Sequence, residues 1–479
     1  MIDIFQKIEK KNMLNKFAYV SKGKKFTYND LKFQINLIKK NIYKNDIQNN
    51  RIGILLNQGL HYGASIVSIP LTNNVGVLLT KKWKKFEILK TINSSNIDYI
   101  ISDNEEIYGI KNKVIANFDN LFLLKLESKT KFKPSKKNDA IIIFSSGTTG
   151  SSKGVVLSKK SLSNNVIGVS KYLKLNDNDI SLIYTPTCYA FSLSQTLTHF
   201  YSSATLVPFE KIIFPYEIVK NIQKNKITGV TGPPASFELL CNISKKKLNS
   251  VRYAQVGGTP FSIDLAKRIQ KTFPSAKILN VYGCSENSPR VSYFYLNRNK
   301  LNYGLDEQEY YCIGKNVEGT KIKILNKRNS SEGEILIKGK SLMDRYWNNP
   351  KLTKKKFIDG YFRTGDIGFF KNKNLYLVGR KDFIINVGNE KVSPEEVENL
   401  INNHNSIQSS VIYKNKDNIL GNTVSSDIVV KKKISKRKII DYLKIYISDY
   451  KIPKQINFVK EIRKNLYGKI DRKYYAEKY

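Results

Sequence analysis

Cysteine and histidine are scarce in this sequence and poorly placed for chemistry. The four cysteines, Cys188, Cys241, Cys284 and Cys312, stand far apart with no Cys-x-x-Cys pair. That spacing argues against a disulfide scaffold or a zinc ribbon. The three histidines, His61, His199 and His404, form no spaced pair, which argues against a histidine-based metal site. Long apolar runs are missing too. Tyr62–Thr80 is interrupted by Pro70, Asn73 and Asn74, and Ser181–Phe209 by Pro186, Pro208 and many hydroxyl side chains. A membrane span needs about 20 mostly apolar residues, so both stretches read as buried strand-plus-helix segments. The N-terminal MIDIFQKIEKKNMLNK has no apolar core and no small-residue cleavage site, so a cytoplasmic protein is expected.

Negative charge is also in short supply. Forty Asp and Glu oppose 81 Lys and Arg, a formal net charge of +41. A surplus of that size invites a nucleic-acid reading. Only 12 of the 81 are arginines, however, and arginine is the residue whose planar fork reads guanine. The lysines are dispersed and recur with Asn and Ile, as in KNIYKNDIQNN and KNIQKNKITG. Codons rich in adenine and thymine encode that trio. Coding bias therefore accounts for the surplus, and no nucleic-acid partner is expected. The charge still suits acidic ligands such as nucleotides or acyl carrier proteins.

What is present points to a large globular chain. At 479 residues and 41% hydrophobic, it can bury a sizeable core in two to four domains or subdomains. The segment Phe26–Ile42 has apolar residues at helical spacing behind a Thr-x-x-Asp start. Arg51–Leu56, Asp98–Ser102, Ala140–Phe144 and Lys277–Val281 are short apolar runs between helical patterns. Together they predict βαβ units and a parallel sheet. A β-rich tract follows with KIKIL, GEILIKG and NLYLVG, and a compact βαβ-like tail begins near Lys381.

The sharpest motif is SSGTTGSSKG at Ser145–Gly154, directly after the strand AIIIF. A strand opening into such a loop surrounds an anion with backbone N–H groups and hydroxyls. Gly147 and Gly150 permit close approach to phosphate, and Lys153 adds a mobile positive charge. The spacing is not that of a Walker A loop.

Four further motifs follow in order: NVYGCSE (Asn280–Glu286), YFRTGDIG (Tyr361–Gly368), GRKDFIINVGNEKVSPEEVE (Gly379–Glu398) and NLYGKIDRK (Asn465–Lys473). GGTP at Gly257–Pro260 and RYWNNP at Arg345–Pro350 accompany them. In order and spacing the set resembles the adenylate-forming (AMP-binding) superfamily of acyl-CoA synthetases, peptide-synthetase adenylation domains and luciferases. The similarity extends over nearly the whole chain. It implies an α/β fold with a large N-terminal domain, residues 1–380, of parallel-sheet layers plus a β-rich subdomain. A small α+β C-terminal domain, residues 381–479, would be joined by a hinge at Asp382.

The resemblance also implies a site. The loop Ser145, Ser146, Gly147, Thr148, Thr149 and Gly150, with Lys153, would hold the phosphates of ATP. Glu286 and Thr148 would hold Mg²⁺, Ser285 would donate to the α-phosphate, and Tyr282 would stack on adenine with Gly258 beside the nucleotide. Asp366 would accept the ribose hydroxyls next to Arg380, and Lys469 would bridge the incoming carboxylate and the α-phosphate. The implied reaction is activation of a small carboxylic acid as an acyl-adenylate. Transfer to the thiol of coenzyme A follows, or, as the alternative, transfer to carrier-protein phosphopantetheine, as in surface polysaccharide modification. The hinge-motif face around Asn386–Asn389 would meet that thiol.

Two departures stand out. Tyr189, in PTCYAF, occupies the position of an aromatic or histidine gate, and Tyr467 replaces the small residue before the last Gly-Lys. In the family, the tracts PTCYAFS, TGPPASF and VGGTP line the acyl site, where Ala235, Ser236 and Gly258 would allow depth. No acidic residue marks those tracts, which tilts against an amino acid substrate. His199, in an uncharged tract, reads as structural, and Cys284 receives no role.

Overall fold

The computed structural model describes residues 2–10, 13–21, 23–107, 109–127, 136–146, 152–209, 215–258, 261, 263–296, 311–326, 331–387, 390–417, 421–464 and 470–477. Two large sheets carry most of the chain. In the first, Arg51–Leu55 pairs in parallel with Val75–Leu78 and Tyr99–Ser102, and Val75–Leu78 pairs with Asp139–Ser146. Every residue of Arg51–Leu55 and Val75–Leu78 is buried. That is the state expected of parallel strands covered on both faces, and it explains why they read as apolar runs rather than alternating patterns.

The second sheet has a parallel core. Ile180–Ile183, Thr205–Pro208, Gly229–Gly232, Tyr253–Gly257 and Lys277–Tyr282 lie side by side. Antiparallel strands extend it through Ser292–Tyr295 and Tyr311–Asn316 into the β-rich tract. There Thr320–Asn326, Gly333–Gly339, Tyr361–Lys371 and Asn374–Arg380 continue the same sheet.

The interrupted apolar tracts fold as strand plus helix. Residues 62–80 contribute to the helix Leu60–Leu71 and the strand Val75–Leu78. Residues 181–209 give a strand, the helix Ala190–Tyr201 and a second strand. Among the described residues no helix is long and apolar enough to cross a membrane. The helix at 28–44 starts on a capping box between Thr27 and Asp30.

After Lys381 the chain forms a short hairpin, the helix Pro394–Asn403 and a three-stranded sheet. The expected βαβ pattern is met only in part. Gly421–Val430 and Gln455–Phe458 are parallel across the helix Lys436–Tyr446, but Ile407–Asp417 pairs antiparallel with Gly421–Val430. The apolar pattern of these strands does not distinguish the two directions; the short connection between the first pair does. The buried clusters of this tail, around Val397, Ile412, Ile428 and Leu443 and around Val411 and Tyr475, draw only on residues beyond 384.

Candidate active site

Strand Lys277–Tyr282 delivers Tyr282 to the carboxyl ends of the parallel strands, where open α/β sheets bind ligands. The chain then turns back on itself. A Cβ on Gly283 would lie 1.6 Å from the Pro289 carbonyl oxygen, so only glycine permits this reversal. Ser285, Glu286 and Asn287 form a single helical turn at its tip. On the neighbouring strand, a Cβ on Gly257 would collide with Val281, whereas Gly258, at φ +98°, faces open space.

Asp366 sits opposite Arg380 in the hairpin of strands Tyr361–Lys371 and Asn374–Arg380. Arg380 Nη1 donates to Asp366 Oδ1 at 2.8 Å and to the Thr364 carbonyl at 2.9 Å. The Tyr282 hydroxyl donates to Asp366 Oδ2. The Asp366 amide donates to Thr364 Oγ1 at 3.0 Å, and that hydroxyl donates to the Ile335 carbonyl at 2.7 Å. Burial and the Asp366 charge push the Tyr282 phenol well up, so it stays a donor. Arg380 Nη2 also reaches Asp382 Oδ2 at 3.4 Å.

Glu286 is held from the other side. Its carboxylate accepts from the Tyr346 hydroxyl at 2.7 Å, and its carbonyl accepts from the Met343 amide at 2.7 Å. Tyr346 belongs to a two-residue strand, Arg345–Tyr346, paired with Ser152–Ser158, the strand that carries Lys153. Arg345 in turn forks onto buried Asp139 at 2.9 and 2.7 Å, at the foot of the strand that leads into residues 147–151. RYWNNP thus ties Glu286 to both strands flanking residues 147–151.

Cys284 lies between the two acidic poles. Burial, then Glu286 and Asp366, push its thiol far up, so it is an inert thiol rather than a nucleophile. Lys356 is pulled down by burial and by the charges of Arg380 and Lys153. Three cations therefore converge on this space. The sequence offers no sign of Lys356, and it shows RYWNNP as a motif without showing what Arg345 and Tyr346 hold. One lysine among 69 carries no signal, and the Tyr346–Glu286 contact spans 60 residues of chain.

Tyr282, Ser285, Glu286, Asp366 and Arg380 are thus brought together, with Lys153 on the flanking strand. Ser145 and Ser146 pair with Lys153 and Ser152 across the hairpin. Gly147, Thr148, Thr149, Gly150 and Lys469 lie outside the described residues. The flanks of Lys469 are closed by a Lys464–Ile470 bridge and by Arg472, which forks onto Glu398 at 3.1 and 2.6 Å. His199 is enclosed: Nδ1 meets the Gln195 carbonyl at 2.7 Å and Nε2 meets Ser181 Oγ at 2.6 Å. Burial pushes it down to about 4, as befits a structural imidazole.

The chain belongs to the AMP-binding enzyme family, whose model matches residues 5–347. It is 27% identical over 368 residues to acyl-CoA synthetase FUM10 of Gibberella moniliformis, covering 70% of this chain and 66% of that protein. The chain thus spans just under two thirds of that relative. It is 26% identical over 493 residues to 4-coumarate–CoA ligase 3 of Arabidopsis thaliana, covering 95% of this chain and 86% of that one. Its fold matches o-succinylbenzoate coenzyme A synthetase from Bacillus subtilis, solved in complex with ATP and magnesium ion. The TM-score is 0.81 at 19% identity, over 99% of this chain and 98% of that one.

Proposed function

We propose that the protein is an AMP-forming acid–thiol ligase using ATP, a small carboxylic acid and coenzyme A. The observation that carries this reading is the pairing of a buried Asp366 already held by Arg380 and Tyr282 with a Glu286 stapled to the strand of Lys153. In the first half-reaction a carboxylate oxygen of the acid attacks the α-phosphorus. The bond from that phosphorus to the bridging oxygen breaks, and pyrophosphate leaves. In the second, a thiol sulfur attacks the acyl carbon, AMP leaves with the carboxyl oxygen, and the thiol proton passes to solvent. Asp366 and Arg380 orient the ribose, Tyr282 the base, and Lys153, Ser285 and the 145–150 loop the phosphates. Lys469 places positive charge between carboxylate and α-phosphate, so catalysis is positioning and charge stabilisation.

No grouping of three or more His, Cys, Asp or Glu able to hold a metal occurs among the described residues. Glu286, with Thr148, would hold Mg²⁺ together with the phosphates, since Mg²⁺ favours one or two carboxylates plus phosphate oxygens. Bound there, it neutralises phosphate charge. Residues 381–479 form the mobile unit in this reading, turning about Asp382 between half-reactions. The relatives named as CoA ligases favour coenzyme A over a carrier protein as acceptor. The test is ATP–pyrophosphate exchange with Mg²⁺ across fatty, aryl, hydroxy and amino acids. Exchange dependent on one acid class supports the reading; a folded, ATP-binding protein that exchanges with none overturns it.

A further inference from the structure

Arg290 is buried, with 2% of its surface exposed, and among the described residues no carboxylate pairs with it. Its guanidinium lies flat on the Phe191 ring, 3.6 Å from the centroid. Nη2 donates to Gln255 Oε1 at 3.1 Å, and Gln255 Nε2 donates to the Tyr172 hydroxyl at 2.6 Å. Nε has no partner although it is shut away from water. The backbone around the head is fixed: the Arg290 carbonyl accepts from Asn165 at 3.1 Å and from Asn287 at 2.9 Å. A buried cation without a counter-charge is costly, and perturbed buried groups of this kind cluster at functional sites.

Its position says which ligand. Arg290 follows Glu286 by four residues, and its Cα lies 3.2 Å from where a Cβ on Gly283 would stand, directly behind the reversal that carries Cys284 and Ser285. Phe191 is 3.5 Å from the Cβ site of Gly257, at the carboxyl end of its strand. Gln255 lies two residues deeper, about 7 Å below that end at the rise of a strand. The guanidinium therefore sits on the floor beneath the strand ends where the reaction is placed.

We infer that the acid activated here carries a second anionic group, a distal carboxylate or its equivalent, that Arg290 receives against Phe191 and Gln255. This rests on the ligase reading and narrows its substrate to diacids or similarly anionic acids. In that reading Lys469 holds the reacting carboxylate in register with ATP, and the Arg290 end sets length and charge preference.

The test compares succinate, glutarate and adipate with butyrate, valerate and hexanoate in ATP–pyrophosphate exchange. Wild type is expected to use the best diacid about 100-fold or more faster than its monoacid counterpart, as sites built around a polar partner do. Arg290→Leu should lose about 100-fold on the diacid while holding or gaining rate on the monoacid, and Arg290→Lys should fall between. Equal or better wild-type rates on monoacids overturn the proposal, whatever the variants do. So does a loss by Arg290→Lys of the same factor on both series, which would mark the arginine as structural. No exchange with any of the six acids or with the wider panel, in protein that binds ATP, removes the ligase reading itself and this inference with it.

Discussion

The two ends of the proposed site handle buried charge in opposite ways. On the nucleotide side three buried acids have arginine partners: Asp366 has Arg380, Glu334 has Arg363 at 2.5 Å, and Asp139 has Arg345. On the acyl side Arg290 has a ring, an amide and a phenol, but no acid among the described residues. The contrast matches what each end must do. A nucleotide is the same molecule in every turnover, so its contacts can be completed within the protein. The acid is the variable partner, and an incomplete polar cluster is where selectivity can be written.

That contrast can be broken at several points. The largest effect belongs to Lys469→Ala, expected to slow adenylate formation by about 10³-fold while sparing thioester formation from a supplied adenylate. Equal loss in both half-reactions would remove the role assigned to it. Asp366→Ala leaves Arg380 without its partner and should raise the KM for ATP by about 10²-fold. An unchanged KM would show that the ribose is read elsewhere.

Stability should report the enclosed His199 through pH. His199 is held neutral, its folded pKa near 4 lying below the ordinary value of 6.5. The unfolded chain thus takes up the proton first. Stability is fully present above pH 6.5 and drains away as pH falls toward 4, by on the order of 3 kcal/mol. Melting temperatures of wild type and His199→Gln across that window should diverge in slope, and parallel curves would rule out His199 as the source. The smallest effect is expected for Tyr346→Phe, which removes one hydrogen bond to Glu286. About a tenfold weaker Mg²⁺ dependence of exchange should follow, measured by titrating the metal at fixed ATP.

Much of this was legible in the sequence because it is local. The strands at 51–55, 139–146 and 277–282, the capping box at Thr27 and the order of the motifs are all written over short spans. What was illegible joins distant parts of the chain. Arg345 and Asp139 are 206 residues apart, and nothing in RYWNNP announces that it staples a loop. Arg290 was visible only as one arginine downstream of a motif. That it is buried without an acid follows from the fold of the Gly283 reversal, not from spacing. The tail's antiparallel pairing was missed for a related reason: strand direction lies in the connection, not in the strand.

The fork of Arg380 has a mechanical meaning. One nitrogen grips the carboxylate proposed to hold the ribose, and the other leans on Asp382, where the C-terminal tail is proposed to turn. On that proposal, a nucleotide arriving or leaving would alter the load on the joint through the one group that touches both. On those two proposed roles, occupancy and the attitude of the last hundred residues would be geared through a single side chain, in the manner of an escapement.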